Sequence, residues 1–386
     1  MDTIDAFLNR YSDHYGAAAT FAAQAPGRLE LLGNHTDYNQ GFVLSCAVGL
    51  YTRFALRPVA GRSCRIVDFR SGEEMGFSLD ELDAPPEING AGYIRGVVVQ
   101  LRNRGAEVPA FEAALESDVP LSAGMSSSAA LEISAALAIG SACGVELDIA
   151  DWARLGRAVE NDFFGLRSGL LDQLSSLCGE KEKLLLCDFR SESVTRTLPL
   201  APGYAIVVVN SMKKHKLVDS AYNERRADCE HAAEVLGQLF PGASTLRDIS
   251  LEELGAARSR LAWREYRRAL HVVGECQRVL AGVRHLEEQD MQGFGRLWFD
   301  SHESSRMNFE NSTPELDFLV SEAHSLGACG ARLSGGGFGG ITVHLVPEEK
   351  APEYTKRIVA AYRLHTGLEA QTLILHPGAG AGAWAL

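Results

Sequence analysis

The chain has 386 residues, 46% of them hydrophobic and 23% charged, with a formal net charge of -13. That length and apolar content supply a sizeable core and point to two domains. The acidic balance argues against a nucleic-acid or anionic-membrane partner, which would call for a basic patch, but leaves room for an anionic ligand held by a local cluster of donors. Eight cysteines are scattered without a C-x-x-C pair or a Cys/His metal spacing, the pattern of reduced thiols in a cytoplasmic protein. Met1 to Asn9 has neither signal-peptide nor transit-peptide character. No apolar run reaches the roughly 18 residues a membrane span requires.

Thr20–Ala25, Arg28–Leu32, Phe42–Val48, Tyr51–Leu56 and Ala110–Ser117 read as strands. Tyr93–Asn103 reads as a helix after an Asn-Gly turn. Ala129–Cys143 follows as an Ala/Leu/Ile-rich helix stopped at Gly144. Asp148 or Asp151 caps the next helix, whose apolar stripe is Trp152, Leu155, Val159 and Phe163. Lys183–Cys187, Val194–Leu200 and Tyr204–Val209 return to strand character. Asp219 to about Trp298 is helical throughout, as is Pro314–Leu326. Ile341–Val346 is a strand, Ala351–His365 a helix and Thr372–Leu375 a last strand. Without strict βαβ alternation the expected class is α+β, divided near Pro202 into residues 1–201 and 202–386.

Four segments carry chemistry. Pro120 to Ala130 is a Gly/Ser loop running into a helix, where small residues bring backbone N–H groups close to phosphate oxygens and the helix start adds free donors. It has no Walker A ending, and a capped helix after a tight turn is the plain structural alternative. Gly335 to Gly340 holds five glycines in six residues. Before an apolar strand, that run implies a close backbone approach to another segment or a ligand. Glu160 and Asp172 lie near helix ends, and a lone Asp there is also a common cap. Ala25 to Asn39 turns from strand to Asn34-His35-Thr36-Asp37-Tyr38-Asn39, a mixture of donors and acceptors suited to a polyhydroxyl ligand or to a polar surface turn.

Together these segments resemble the GHMP kinase superfamily and, within it, the galactokinases. Ala25 to Asn39 is similar to their A-P-G-R-V-N-L-I-G-E-H-T-D-Y-N signature, Gly124 to Ala129 to G-L-S-S-S-A, and Gly335 to Gly340 to G-G-G-F-G-G. Ser301 to Asp317, Ser220 to Arg226 and the tail from His376 match further galactokinase segments. The resemblance implies an N-terminal ribosomal S5 domain 2-like domain and a C-terminal ferredoxin-like domain with the active site between them. It implies ATP as co-substrate, Mg²⁺, and phosphorylation of a sugar's anomeric C1 hydroxyl. By position, Asp172 and Arg28 flank that hydroxyl. Ser122, Ala123, Gly124, Met125, Ser126, Ser127 and Ser128 wrap the phosphates. Ser128 and Glu160 hold Mg²⁺. Asn34, His35, Asp37, Gly169 and Tyr222 meet the sugar, with Glu30 beside them. Gly335, Gly336, Gly337 and Gly339 form a structural loop. A monomer or weak dimer is expected.

Two departures bear on the substrate. Asn34 stands where the signature has Glu, the residue expected at the C6 hydroxyl, and Glu30 stands where it has Asn. A neutral amide admits galactose, but also galacturonate or a pentose such as L-arabinose. A non-catalytic sugar sensor is a further alternative from another class, against which Arg28, Glu160, Asp172 and Ser126 to Ala130 are all in place.

Overall fold

The computed structural model describes residues 4–120, 124–214 and 218–386. Ser122 and Ala123 of the expected phosphate loop lie outside the described residues. A helix that the sequence reading did not assign, α1 (Ile4–Tyr15), opens the chain, and Phe7 and Tyr11, one turn apart, are buried. Then come β1 (Phe21–Leu32), β2 (Phe42–Val59), β3 (Ser63–Asp68), β4 (Glu74–Ser78), α2 (Gly90–Asn103) and β5 (Ala110–Ser117). Next are α3 (Ser127–Ala142), α4 (Ile149–Ala158), α5 (Leu171–Cys178), β6 (Lys183–Asp188) and β7 (Ser193–Pro199). With the last strand, β12 (Gly382–Ala385), these form one sheet in the order β12-β1-β2-β5-β3-β4, with β6 on β2 and β7 on β6. The β3–β5 pair is parallel and the other pairs are antiparallel.

Two pairs of expected strands are each one strand. Pro26 and Gly27 do not break β1, because a shift of register between Pro26 and Arg28 absorbs the missing N–H. Gly27 is required there, since a Cβ would fall 2.6 Å from the Met125 carbonyl oxygen. Arg28 N donates to that same carbonyl at 3.0 Å. Strand alternation then sends Leu29 and Leu31 into the core and sets Arg28 and Glu30 side by side on the opposite face.

The second sheet has the order β11-β8-β10-β9, all antiparallel. Its strands are β8 (Tyr204–Lys214), β9 (Gly330–Ser334), β10 (Gly339–Pro347) and β11 (Gln371–Leu375). The stretch read as continuous helix is four: α6 (Val218–Leu239), α7 (Leu251–Ala256), α8 (Trp263–Glu287) and α9 (Met291–Ser304). A Ser250/Glu253 capping box starts α7, and Asp290 caps α9. Helices α10 (Pro314–Ser325) and α11 (Ala351–Thr366) pack on the second sheet through Leu319, Tyr354 and Ile358. Asp148, not Asp151, caps α4.

One apolar cluster runs through both sheets. It joins Leu29, Leu31 and Leu44 of the first to Ile206, Val208 and Val343 of the second, with Phe294 and Trp298 of α9. Groups brought together between the sheets are therefore set on a shared packed core. Among the described residues no helix is long and apolar enough to cross a membrane.

Candidate active site

A cavity of about 440 Å³ opens between the two halves. Arg28 and Glu30 of β1, Glu160, Gly169, Asp172 and Tyr222 line it. Asn34, His35, Asp37, Gly335 and Gly336 line it too, whereas Gly124 to Ser128, Gly337 and Gly339 do not. Arg167, Ser168 and Asn223 also line it and were not singled out.

Arg28 and Asp172 form its catalytic-looking end. Nε and Nη2 of Arg28 both reach Oδ1 of Asp172, each at 2.8 Å. Asp172 sits in the first turn of α5, whose N-cap is Leu170, so it caps nothing. The Ser126 hydroxyl donates to its Oδ2. Oδ1 is thus filled by Arg28, and Oδ2 keeps one lone pair for a third donor. Arg28 Nη1 also donates to the Gly124 carbonyl at 2.7 Å, which ties the Gly/Ser loop to the carboxylate.

That loop enters α3 through Ser126, which is left-handed at φ 54°. Non-glycine residues adopt this conformation at a cost, and it recurs where function demands it. The turn aims the Ser126 side chain at Asp172 while α3 begins at Ser127 with its free amides beside it. Met125 is buried in the shared core, so it anchors the loop rather than touching a ligand through its side chain. Gly124 is at φ 69°.

Glu160 lies in a π-helical turn, Val159–Phe163, that the sequence reading took as continuous α-helix. Its Oε1 accepts from Ser128 Oγ at 3.4 Å and its Oε2 from Gln173 Nε2 at 3.4 Å. Burial, with the nearby Asp172, raises its pKa. Behind it Glu132 is fully buried, with its pKa raised well above the usual range by burial and by Glu160. Oε1 of Glu132 and Oε1 of Gln173 have no hydrogen-bond partner. No group of three or more His, Cys, Asp or Glu suited to a metal occurs among the described residues. One carboxylate and one hydroxyl suffice for Mg²⁺, a hard cation that takes oxygen ligands and completes its shell with water and phosphate. Ser128 and Glu160 fit it.

The polyhydroxyl segment forms a wall built from both halves. Gly33, at φ 97°, turns the chain, and a Cβ there would fall 2.3 Å from the Phe42 carbonyl. The Gly33 and Asn34 amides both donate to Oε2 of Glu275 on α8, each at 2.9 Å. His271, one turn earlier, bonds the Asn34 carbonyl at 3.0 Å. Burial lowers the His271 pKa to about 4, so it is neutral and donates through Nε2. His35 gives Nε2 to the Gly336 carbonyl and takes a hydrogen bond at Nδ1 from Tyr38. Its ring lies against Phe309 and Tyr222, and burial lowers its pKa to about 3. His35 therefore offers the cavity a neutral ring face. Asp37 sits on Gly169, where a Cβ would fall 1.6 Å from Oδ2. Burial, with Glu30 and Asp172, pushes the Asp37 carboxyl up to about 7.

The glycine run makes the close approach expected of it. Gly335 O accepts from Asn34 and Gly336 O from His35. Gly337, at φ 81°, lies so near Asn311 that a Cβ would sit 2.3 Å from its carbonyl oxygen. Sequence reasoning missed His271, Glu275, Asn311 and Arg332. The available signal was polar residues in apolar surroundings: His271 and Glu275, four apart, interrupt Ala269, Val272, Val273 and Cys276 on one buried face.

Comparison with known proteins returns three family models. A galactokinase galactose-binding signature matches residues 9–58, a GHMP kinase N-terminal domain residues 92–180, and a GHMP kinase C-terminal model residues 283–363. The chain is 39% identical to a galactokinase of Roseiflexus sp. (strain RS-1), over 97% of this chain and 95% of the relative. It is 40% identical to one of Actinobacillus pleuropneumoniae serotype 3 (strain JL03), over 93% and 94%. Its structure superposes on Lactococcus lactis galactokinase complexed with galactose with a TM-score of 0.92 at 27% identity, covering 98% of this chain and 99% of the other.

Proposed function

The chain belongs to the galactokinase family of GHMP kinases, and from that premise we propose that it transfers the γ-phosphoryl group of ATP to the anomeric C1 hydroxyl of galactose. The observation that carries the reading is the Arg28–Asp172–Ser126 constellation at the junction of the phosphate loop and the sugar wall.

The sugar's C1 hydroxyl donates to the open lone pair of Asp172 Oδ2. As the C1 oxygen bonds to the γ-phosphorus and the bond to the ADP oxygen breaks, Asp172 takes the proton. Arg28 balances the charge on Asp172 and on the developing alkoxide. The residues Ser122 to Ser128 and the start of α3 receive the phosphates. Mg²⁺, held by Ser128 and Glu160, would neutralise phosphate charge, the main requirement of phosphoryl transfer. Asp37, Gly169 and Tyr222 contact the ring hydroxyls, with Asn34 and His35 framing them. Residues 1–201 and 202–386 are the two domain units of this proposal. The break between sheets, from Pro199 to Tyr204, supports that division, although β12 returns to the first sheet. The eight free thiols fit a cytoplasmic location.

A coupled assay of ADP release over galactose, galacturonate, L-arabinose and N-acetylgalactosamine tests the reading. Galactose should be turned over best, and ADP release independent of sugar would remove it. Sugar-dependent turnover also excludes a sensor.

Asp37 predicts a pH effect. With its pKa at about 7, much of it is protonated in mild acid. A hydroxyl donating to it favours the charged form, so binding lowers the pKa and expels a proton. The galactose KM should fall as pH rises through about 7, and calorimetry should show proton release on sugar binding. Asp37→Asn should flatten both. An unchanged KM from mildly acid to mildly basic pH contradicts the role.

A further inference from the structure

We propose that Glu30, not Asn34, reads the exocyclic C6 hydroxyl of the sugar, and that Asn34 serves to hold Glu30 in place. This deepens the galactokinase reading and rests on it.

Asn34 has no capacity left for a ligand. One Nδ2 proton goes to Glu30 Oε1 at 2.9 Å and the other to Gly335 O at 2.8 Å. Its Oδ1 accepts from Asn311 Nδ2 at 2.9 Å and from Ser305 Oγ at 3.5 Å. Two donated and two accepted bonds are all an amide can make. The chemistry fixes its orientation, because a flipped amide would set oxygen against Glu30 Oε1 and Gly335 O, and nitrogen against Asn311 Nδ2. Asn34 is 1% exposed.

Glu30 is in the opposite position. Its Oε1 is filled by Asn34 Nδ2 and by Arg332 Nη2, both at 2.9 Å. Its Oε2 has no hydrogen-bond partner among the described residues and belongs to a residue lining the cavity. Arg332 is fully buried, and its Nε and Nη1 are unpartnered. The guanidinium therefore pulls on Glu30 alone and fixes its rotamer.

Along β1, Glu30 lies one strand repeat beyond Arg28, about 7 Å on. A hexose with its C1 hydroxyl at Asp172 and Arg28 presents at that distance the groups remote from C1, the C4 hydroxyl on the ring and the primary C6 hydroxyl, of which the latter, on a rotatable exocyclic arm, reaches furthest. A free carboxylate oxygen accepts from that hydroxyl. The substrate class follows. A C6 carboxylate would face Glu30 charge to charge and is rejected, so galacturonate is not a substrate. L-Arabinose lacks the donor and leaves a partly buried acceptor unpaired, which sites built for a hydroxyl discriminate against strongly.

The test compares galactose with 6-deoxygalactose by kcat/KM. Wild type should prefer galactose by about tenfold or more, the range of a charge-assisted hydrogen bond, and should not turn over galacturonate. Glu30→Gln should erase most of that preference by losing galactose activity while 6-deoxygalactose activity stays level. Since Gln removes the counter-charge of Arg332 and can impair folding, Glu30→Asp is the companion: it keeps the charge at Arg332 but withdraws the oxygen from the cavity. It should melt near wild type and show the same loss of preference. With 2-deoxygalactose each variant should fall as it does with galactose. Equal loss on galactose and 6-deoxygalactose in both variants, or efficient wild-type turnover of galacturonate, overturns the inference and leaves the galactokinase reading standing. If wild type phosphorylates no galactose, both fall together.

Discussion

Replacing Asp172 with asparagine is expected to lower kcat by about two to four orders of magnitude, the usual contribution of a positioned acid or base, while ATP binding stays near wild type. The reason lies in how the two carboxylate oxygens are used. Asparagine keeps an oxygen for Arg28 in one orientation, but then points an NH₂ at the Ser126 hydroxyl and at the sugar, where an acceptor is needed. In the other orientation it turns NH₂ toward a guanidinium. Neither restores a proton acceptor facing C1. Arg28 Nη1 still holds the Gly124 carbonyl, so the loop proposed to receive the phosphates keeps its anchor. Nucleotide affinity measured by titration calorimetry, set beside kcat from single-turnover kinetics, checks the separation. Near-wild-type turnover would rule out Asp172 as the reacting carboxylate, and a parallel loss of ATP affinity would mean it acts by shaping the loop.

The α+β GHMP kinase fold expected from the motifs is the fold of the chain. The glycines at close backbone approaches were legible because their constraint is steric. Only residues without bulk fit where Gly27 meets Met125 O or Gly337 meets Asn311 O, and such sites leave glycines in the sequence. Asp172 and Glu160 carry no comparable local mark. Read alone, Asp172 was better explained as a cap; the cap position falls on Leu170 instead, and Asp172 bonds Arg28, 144 residues away. The rest of the site depends on pairings longer still. Asn34 meets Glu275 and Asn311 at separations of 241 and 277 residues, which no window along the chain contains. The π-helical turns were also hidden, because each closes a helix and too few residues follow for the change of period to show in an apolar stripe. Both lie at the site: Val159–Phe163 carries Glu160, and Ser305–Phe309 carries Ser305 and Phe309 to Asn34 and His35. The question of which sugar fits was placed on Asn34 and Glu30 because both differ from the family signature, with the C6 hydroxyl expected at Asn34. Hydrogen-bond capacity favours its neighbour across the strand turn.

Glu275 should be the residue whose loss the fold feels most. It is fully buried, yet it accepts from the Gly33 and Asn34 amides, from Ser301 Oγ at 3.0 Å and from Arg278 Nε at 2.5 Å. Burial alone would raise its pKa. The Arg278 charge and hydrogen bond, with the Arg332 charge, outweigh that, and the carboxyl is held well below its usual range. Glu275→Ala strands all four donors and leaves a guanidinium without its partner. Breaking a buried pair in this way costs about 3–5 kcal/mol, to be read from urea denaturation of variant and wild type. Because the folded pKa is depressed below the unfolded value of 4.5, the wild-type contribution is fully present above about pH 4.5 and is withdrawn as pH falls below it. The stability gap between wild type and variant should therefore narrow in acid. Glu275 lies behind the sugar wall rather than in it, so the active fraction that remains folded should show a raised galactose KM with kcat less affected, the reverse of Asp172→Asn. A variant with unchanged stability would mean that the Gly33–Asn34 turn is held by its own geometry, with the helix merely resting against it.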